Sequence, residues 1–390
     1  MQRSLLSALL GLAVAAGSAA PCVCGAEMRV SNRAEFSQAL RDARAGDHIL
    51  VAAGIYAGGL SHTGLVGTKD QPIVIAAADP AQPPVIKGGG GGLHLSSPAH
   101  VVLRDLVIRD ATGNGLNIDD GGSAGSAHDV VLQRLVVENI GPEGNRDGIK
   151  VSGLDRFRVE KCAVSRWGSG GSAIDMVGCH NGVITDCRFF DVTSDGANGV
   201  QAKGGSHDIV IRRNRFENAG GRGVNAGGST GLQFFRPADA TFEARKITIE
   251  DCEFIGGQAA VALVGVDGAL VQYNTIYRPR KWAFRILQEN TDPRFVPSRN
   301  GQVLNNVIVF RSSELSMAVN IGDKTSPESF RFSCNHWHCT DQPEQTKRLL
   351  RLPVTETEGS YGVDPQLKDP EKGDLRSSKP SPAAGVSPTN

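Results

Sequence analysis

The sequence predicts an all-β, single-domain parallel β-helix, with a capping helix near its N-terminus. Three observations predict it. Glycine is abundant, with 48 in 390 residues, well above the usual ~7%, and no collagen period accompanies it. Aromatic residues make up only 5% of the chain. Many glycines, few aromatics and frequent Val and Ile mark short strands joined by tight turns. One short apolar pattern also recurs nine times along the chain, and a fixed recurrence is the signature of a solenoid.

Residues 1–26 read as a removable signal peptide. Arg3 precedes an apolar run over 5–16 and then small residues, with cleavage expected near Ala26 after Cys24-Gly25. The chain is therefore expected to be secreted, to the periplasm or beyond. Residues 27–60 form an N-terminal cap with a first strand. Asn32-x-x-Glu35 is a capping-box signal, Phe36, Leu40 and Ala43 give the helix an apolar stripe, and Gly46-Asp47 stops it. Such a helix would shield the open strand edge at the end of a β-helix.

Residues 61–346 carry the repeat. Strands near Ile49-Val51, Ile73-Ile75 and Val85-Ile86 lead into it. The repeat then runs from Leu103-Arg-Asp-Leu106-Val-Ile108 through Val159-Glu-Lys-Cys162-Ala-Val164 to Phe332-Ser-Cys-Asn335-His-Trp337. Its fifth position falls at residues 106, 135, 162, 187, 214, 252, 274, 306 and 335, so coils are 22–38 residues long. A second motif follows each of the first eight copies, from Gly115-Leu-Asn-Ile118 to Ala318-Val-Asn-Ile321. Both motifs alternate apolar and polar residues, as half-buried strands do. Stacked coils would place Asn214, Asn274, Asn306 and Asn335 in one internal column as an amide ladder. Cys162, Cys187 and Cys252 share that column as small buried hydrophobes. Residues 347–390, rich in Pro and Ser, should lie over the last coils and then run loose.

Charge excludes some partners. Lys plus Arg equals Asp plus Glu at 41 each, so no overall field favours nucleic acid or an anionic membrane. A monomer is expected. Cys334-Asn-His-Trp-His-Cys339 has no common zinc spacing and reads as a local disulfide or plain packing. Asp119-Asp120, His180 and His207 read as turn residues.

Several stretches resemble secreted pectate-lyase-like β-helix proteins. These are Gly46-Asp47-His-Ile-Leu-Val51, Gly54-Ile-Tyr56, Pro72-Ile-Val-Ile75 and the closing Gly362-Val-Asp-Pro365 with Ser381-Pro-Ala383. Within that superfamily the chain is most similar to the chondroitinase B and alginate lyase family. The resemblance implies a right-handed helix and an acidic polysaccharide as partner.

The second motif identifies a chemical face. Its apolar pair points inward, so the residue between them faces outward. That column reads Asn117, Lys150, Asp175, Gln201, Asn225, Ala262, Arg285 and Asn320, with neighbouring strands about 4.8 Å apart. Lys203 lies on the same face two residues beyond Gln201. Arg222 leads into one strand, and Arg236 lies in a long excursion over 227–245; a second excursion covers 288–299. Long loops in repeat proteins often form binding walls.

Cleavage of a polyuronate by β-elimination needs a base for the proton α to the carboxylate, positive charge for the enolate-like intermediate, and a proton for the leaving oxygen. Lys203 suits the base. Arg222 and Arg236 are candidates for the supporting cation, and Lys150, Gln201 and Asn225 for substrate contacts. Asp175, Asp195 and Asn198 are candidates for holding a calcium ion. The surroundings of Lys203, in Asn198-Gly-Val-Gln-Ala-Lys203-Gly, are similar to those of the family's catalytic lysine. That similarity implies a calcium-assisted lyase. The family's two glutamate ligands are not both matched, and its catalytic arginine would align near Gly227. The competing functions are a glycoside hydrolase on the same architecture, a uronate epimerase, and a non-catalytic carbohydrate-binding or structural β-helix. The hydrolase would need two carboxylates across a cleft, and the epimerase's Asp-Pro-His element is absent here.

Overall fold

The structure, a computed structural model, describes residues 25–378. Residues 1–24 of the proposed signal peptide and Ser381-Pro-Ala383 lie outside the described residues. Three long parallel sheets of 12, 10 and 12 strands wrap one hydrophobic core. In chain order each coil contributes a strand to sheet A (Glu27–Val30 opens it), sheet B (opened by Ile55–Ala57) and sheet C (opened by Leu60–Thr63). This is a right-handed parallel β-helix.

The repeat is the register. In sheet A, Leu103, Leu132, Val159, Ile184, Ile211, Ile249, Val271, Val303 and Phe332 stack coil upon coil. In sheet B the matching stack runs from Ile108 through Phe189, Phe216 and Phe254 to Trp337. Phe189–Phe216 and Phe216–Phe254 centroids are 5.0 and 4.7 Å apart, within the favourable range for aromatic pairs.

The turn from sheet A to sheet B is tight, and residues such as Arg134, Asp186 and Arg213 take a positive φ of 51–58° there. That conformation is costly for non-glycine residues. Cross-coil pairs offset it, as in Arg134–Asp105 and Arg213–Asp186. The next residue points inward and forms the expected ladder. Asn274 Nδ2 donates to Asn306 Oδ1, and Asn306 Nδ2 to Asn335 Oδ1, each at 2.9 Å. The cysteines do more than fill space: Leu135 N–H approaches Cys162 Sγ and Cys162 N–H approaches Cys187 Sγ, both at 3.4 Å. Sulfur thus takes the place of the amide oxygen as a weak acceptor.

The helix Arg33–Asp42 begins where Asn32 Oδ1 accepts Glu35 N–H, while Glu35 accepts Ser31 N–H. It buries Phe36, Ala39 and Leu40, with Phe36 edge-on to Tyr56. At the other end, Leu349, Leu350, Leu352 and Tyr361 pack on the core, and Trp337 Nε1 donates to Glu356. Cys334 and Cys339 are free thiols, so packing replaces the disulfide alternative. His336 and His338 contact the backbone oxygens of Val363 and Gly362. His180 and His207 stack at 4.1 Å.

Candidate functional site

Strand pairing in sheet C assembles the polar column. Asn117, Lys150, Asp175, Gln201, Asn225, Ala262, Arg285 and Asn320 are consecutive register partners. A parallel column runs Asp119, Ser152, Val177 and Lys203.

The centre is a compact charged cluster. Lys150 Nζ is hydrogen-bonded to Asp175 Oδ2 and lies 3.7 Å from Asp147 Oδ2. Lys203 Nζ lies 3.3 Å from Asp175 Oδ1 and donates to Gln201 Oε1 at 3.3 Å. The contact with Oδ1 is a charge contact only, because no donor is aligned on that buried oxygen. Asp147 Oδ1 accepts Ser172 N–H at 2.8 Å. Burial, followed by the charge of Asp175, pushes Asp147 up to about 6. Burial alone would depress Lys150, but the carboxylates of Asp175 and Asp147 outweigh it and raise its pKa. With all four groups ionised the cluster is neutral, which is how buried charges are tolerated.

The column is less open than its alternation suggests. Asp175 and Asn225 are each 1% exposed and Gln201 8%, while the Lys203 side chain keeps 18%. The cover is the excursion that leaves the strand at Gly227. Gln201 Nε2 donates to Gly227 O at 3.2 Å, and a Cβ on Gly228 would come within 3.4 Å of Lys203 Cδ. Gly227 itself has φ +95°, and a Cβ there would lie 1.7 Å from Val264 O. Only glycine fits, so no arginine can occupy the position matched to the family's catalytic one. The two excursions also pack on each other. Phe235 meets Phe295 at 5.2 Å, and the fully buried Glu243 accepts Gly204 N–H, both Thr230 donors and Asn290 Nδ2.

The two candidate arginines are engaged elsewhere. Arg236 pairs with the buried Asp120 at 2.6 Å, and its backbone bonds Gly204 O and His180. It is a strap across sheet C rather than a partner of Lys203. Arg222 bonds Asn225 and Glu289 at 2.9 and 2.7 Å. Its backbone is the register partner of Asn198, while its guanidinium reaches forward to Asn225, the neighbour of Gln201 in the polar column. Arg285 lies over the Trp282 ring at 4.2 Å. Burial, then the charge of Arg222, lowers its pKa to about 10.

The residues present do not fit calcium. Both oxygens of Asp175 face lysine ammonium groups. Asn198 pairs with Ser172, not Asp175, three residues and about 10 Å before the Gln201 level. Asp195 is ion-paired with Arg280 at 2.7 Å. A hard dication needs several converging oxygens. Here the cation's place beside Asp175 is taken by Lys150.

The sequence pattern missed one pair. His94 is the register partner of Asn117, and its Nε2 lies 2.6 Å from Asp119 Oδ2. The signal was present, since Gly92-Leu-His-Leu95 repeats the second motif one coil before the series begins.

Comparison with known proteins agrees with this architecture. Residues 85–236 match the right-handed β-helix region family, and residues 30–126 match chondroitinase B. The chain therefore has the right-handed parallel β-helix fold. No curated protein matches it. An alginate lyase from Paenibacillus sp. superposes with a TM-score of 0.55 at 15% identity, covering 78% of this chain and 98% of the lyase. A GH136 lacto-N-biosidase from Eubacterium ramulus gives 0.60 at 13% identity, covering 86% of this chain and 67% of the other. At such identities the likeness establishes the fold alone.

Proposed function

We propose that the chain is a secreted polysaccharide lyase that cleaves a uronate-containing polymer by β-elimination, with Lys203 as the base and without a calcium ion. The observation that carries this is the pair of ammonium groups, Lys203 and Lys150, held by Asp175 on the outer face of sheet C. Elimination breaks the C5–H bond and the C4–O bond and forms a C4–C5 double bond. Lys203, as the neutral amine, takes the C5 proton; the resulting ammonium, or water, returns a proton to the leaving oxygen. Lys150 supplies fixed positive charge for the substrate carboxylate, the part a calcium ion would otherwise play. Gln201 orients the Lys203 amine. The chondroitinase B match and the alginate lyase likeness support this class. Hydrolysis is less well supported. Asp147 and Asp175 are both buried and both contact Lys150, whereas hydrolases set two carboxylates across the cleaved bond. The leader in residues 1–26 supports export. A non-catalytic glycan-binding role is favoured by one observation, the glycine at position 227 where the family has its arginine.

The test is ultraviolet absorbance of unsaturated uronate product from alginate, pectate, chondroitin and dermatan sulfates, hyaluronan and glucuronan. The expected result is product from one of them, unaffected by chelator and reduced at least ~10²-fold in Lys203→Ala. Product surviving in that variant would reject the base. Loss of product on chelation would reject the metal-free mechanism. No product on any polymer would reject elimination of these uronates and leave binding.

A further inference from the structure

The polar column extends past Asn117. Register carries it to His94 and then to Ser61. There it borders a groove of about 300 Å³ lined by Ser61, His94, Asn114, Asn117 and the glycines 90 and 91. The glycines lack side chains and let a ligand approach the backbone closely.

His94 is held in the manner of an oriented imidazole. Its Nε2 contacts Asp119 Oδ2 at 2.6 Å. Asp119 in turn accepts Ser96 Oγ at 2.7 Å, Gly121 N–H at 2.9 Å and Asn117 Nδ2 at 3.1 Å. Burial would raise Asp119, but the hydrogen bonds from Ser96, His94 and Gly121 outweigh it and keep the carboxyl below its ordinary range. A carboxylate fixing one ring nitrogen sets which face the other presents. His94 Nδ1 makes no hydrogen bond among the described residues, and the side chain is 44% exposed.

The groove is also joined to the charged cluster. Asn114, on its wall, accepts Asp147 N–H at 2.9 Å. Asp119 and Lys203 occupy one register column, three strand steps apart, about 14 Å at the parallel-strand spacing. One strand step is close to the length of one pyranose residue, so a glycan lying along the helix axis would meet both places at once.

We propose that this groove is a second subsite for the polysaccharide, in which His94, aimed by Asp119, hydrogen-bonds a sugar residue three or four removed from the one at Lys203. This rests on the lyase reading of the same face. The groove's other lining side chains carry no charge, and His94 faces the Asp119 carboxylate. The subsite therefore reads sugar hydroxyls rather than a carboxylate. An enzyme with such a subsite favours longer substrates.

The experiment is calorimetric titration of the Lys203→Ala full-length chain with di-, tetra- and hexasaccharides of mannuronate, guluronate, galacturonate and glucuronate, repeated with His94→Gln added. Asp119→Asn serves as a second variant that preserves shape. Circular dichroism confirms folding of each variant. The expected result is hexasaccharide binding that weakens about tenfold in His94→Gln, the loss of one good hydrogen bond, while disaccharide binding is unchanged. Asp119→Asn should follow the same length dependence. Equal loss at every length, no loss at any length, or no binding would overturn the subsite. Absorbance from the unsubstituted chain separates the two proposals. Product formation with no length-dependent loss rejects the subsite alone. Length-dependent loss without product rejects elimination alone.

Discussion

Replacing Asp147 by Asn should change how stability varies with pH, and the size follows from the charged cluster. Asp147 titrates near 6 in the folded chain against an ordinary 3.8, because burial and Asp175 oppose its ionisation. A folded pKa above the unfolded one means that the folded state holds more protons between the two values. Stability from this group is therefore greatest below the unfolded pKa and falls as pH rises through the folded one. A shift of about two units corresponds to about 3 kcal/mol in all, of which about 2 kcal/mol is lost between pH 4 and pH 7. Asn cannot ionise, and its Oδ1 can still accept Ser172 N–H. The other titrating groups are common to both proteins and cancel in the difference, to first order. Urea unfolding followed by circular dichroism from pH 4 to pH 8 should show the variant gaining about 2 kcal/mol on the parent across that range. Parallel curves would refute the argument, because Asp147 would then ionise as easily in the fold as outside it. A difference of the opposite sign would mean that Lys150 stabilises the carboxylate more than burial penalises it.

Other expectations follow from the same geometry. Gly227→Ala places a Cβ against Val264 O at a positive φ, so it should destabilise by several kcal/mol, about 2–4, and loosen the excursion after it; limited proteolysis within 228–243 would report this. Asn306→Ala removes four buried hydrogen bonds, to Asn274 N and Nδ2, Val271 O and Asn335 Oδ1. It should cost about 3 kcal/mol or more in denaturant unfolding, and Asn306→Asp should not restore it. Arg236→Ala strands the buried Asp120 and should cost about 3–5 kcal/mol. Arg236→Ala with Asp120→Ala should recover part of that loss, measured as a double-mutant cycle.

The coils were legible because their causes are local. Alternation within five or six residues decides which side chains face inward, and the fifth position of the repeat marks the turn. Once coils stack, register follows, and Leu103, Leu132 and Val159 align as spaced. The same logic placed Lys150, Asp175, Gln201 and Asn225 side by side. Local pattern also misled at one point. It treated that column as open to solvent, although Gln201 is buried against the excursion at Gly227, because what covers a strand is set by a segment from another coil.

The sequence by itself determined the helix of coils, the internal ladder and the face that carries polar residues, since each depends on periodicity and on the inward drive of apolar side chains. Tertiary structure alone decided which charges meet. It sent Arg236 to Asp120 across 116 residues and Asp195 to Arg280 across 85. It set two lysines on one carboxylate, and it turned His94 toward Asp119 on the next coil. Ion pairing depends on distance in space and on burial, and neither is encoded in the spacing of residues along a strand.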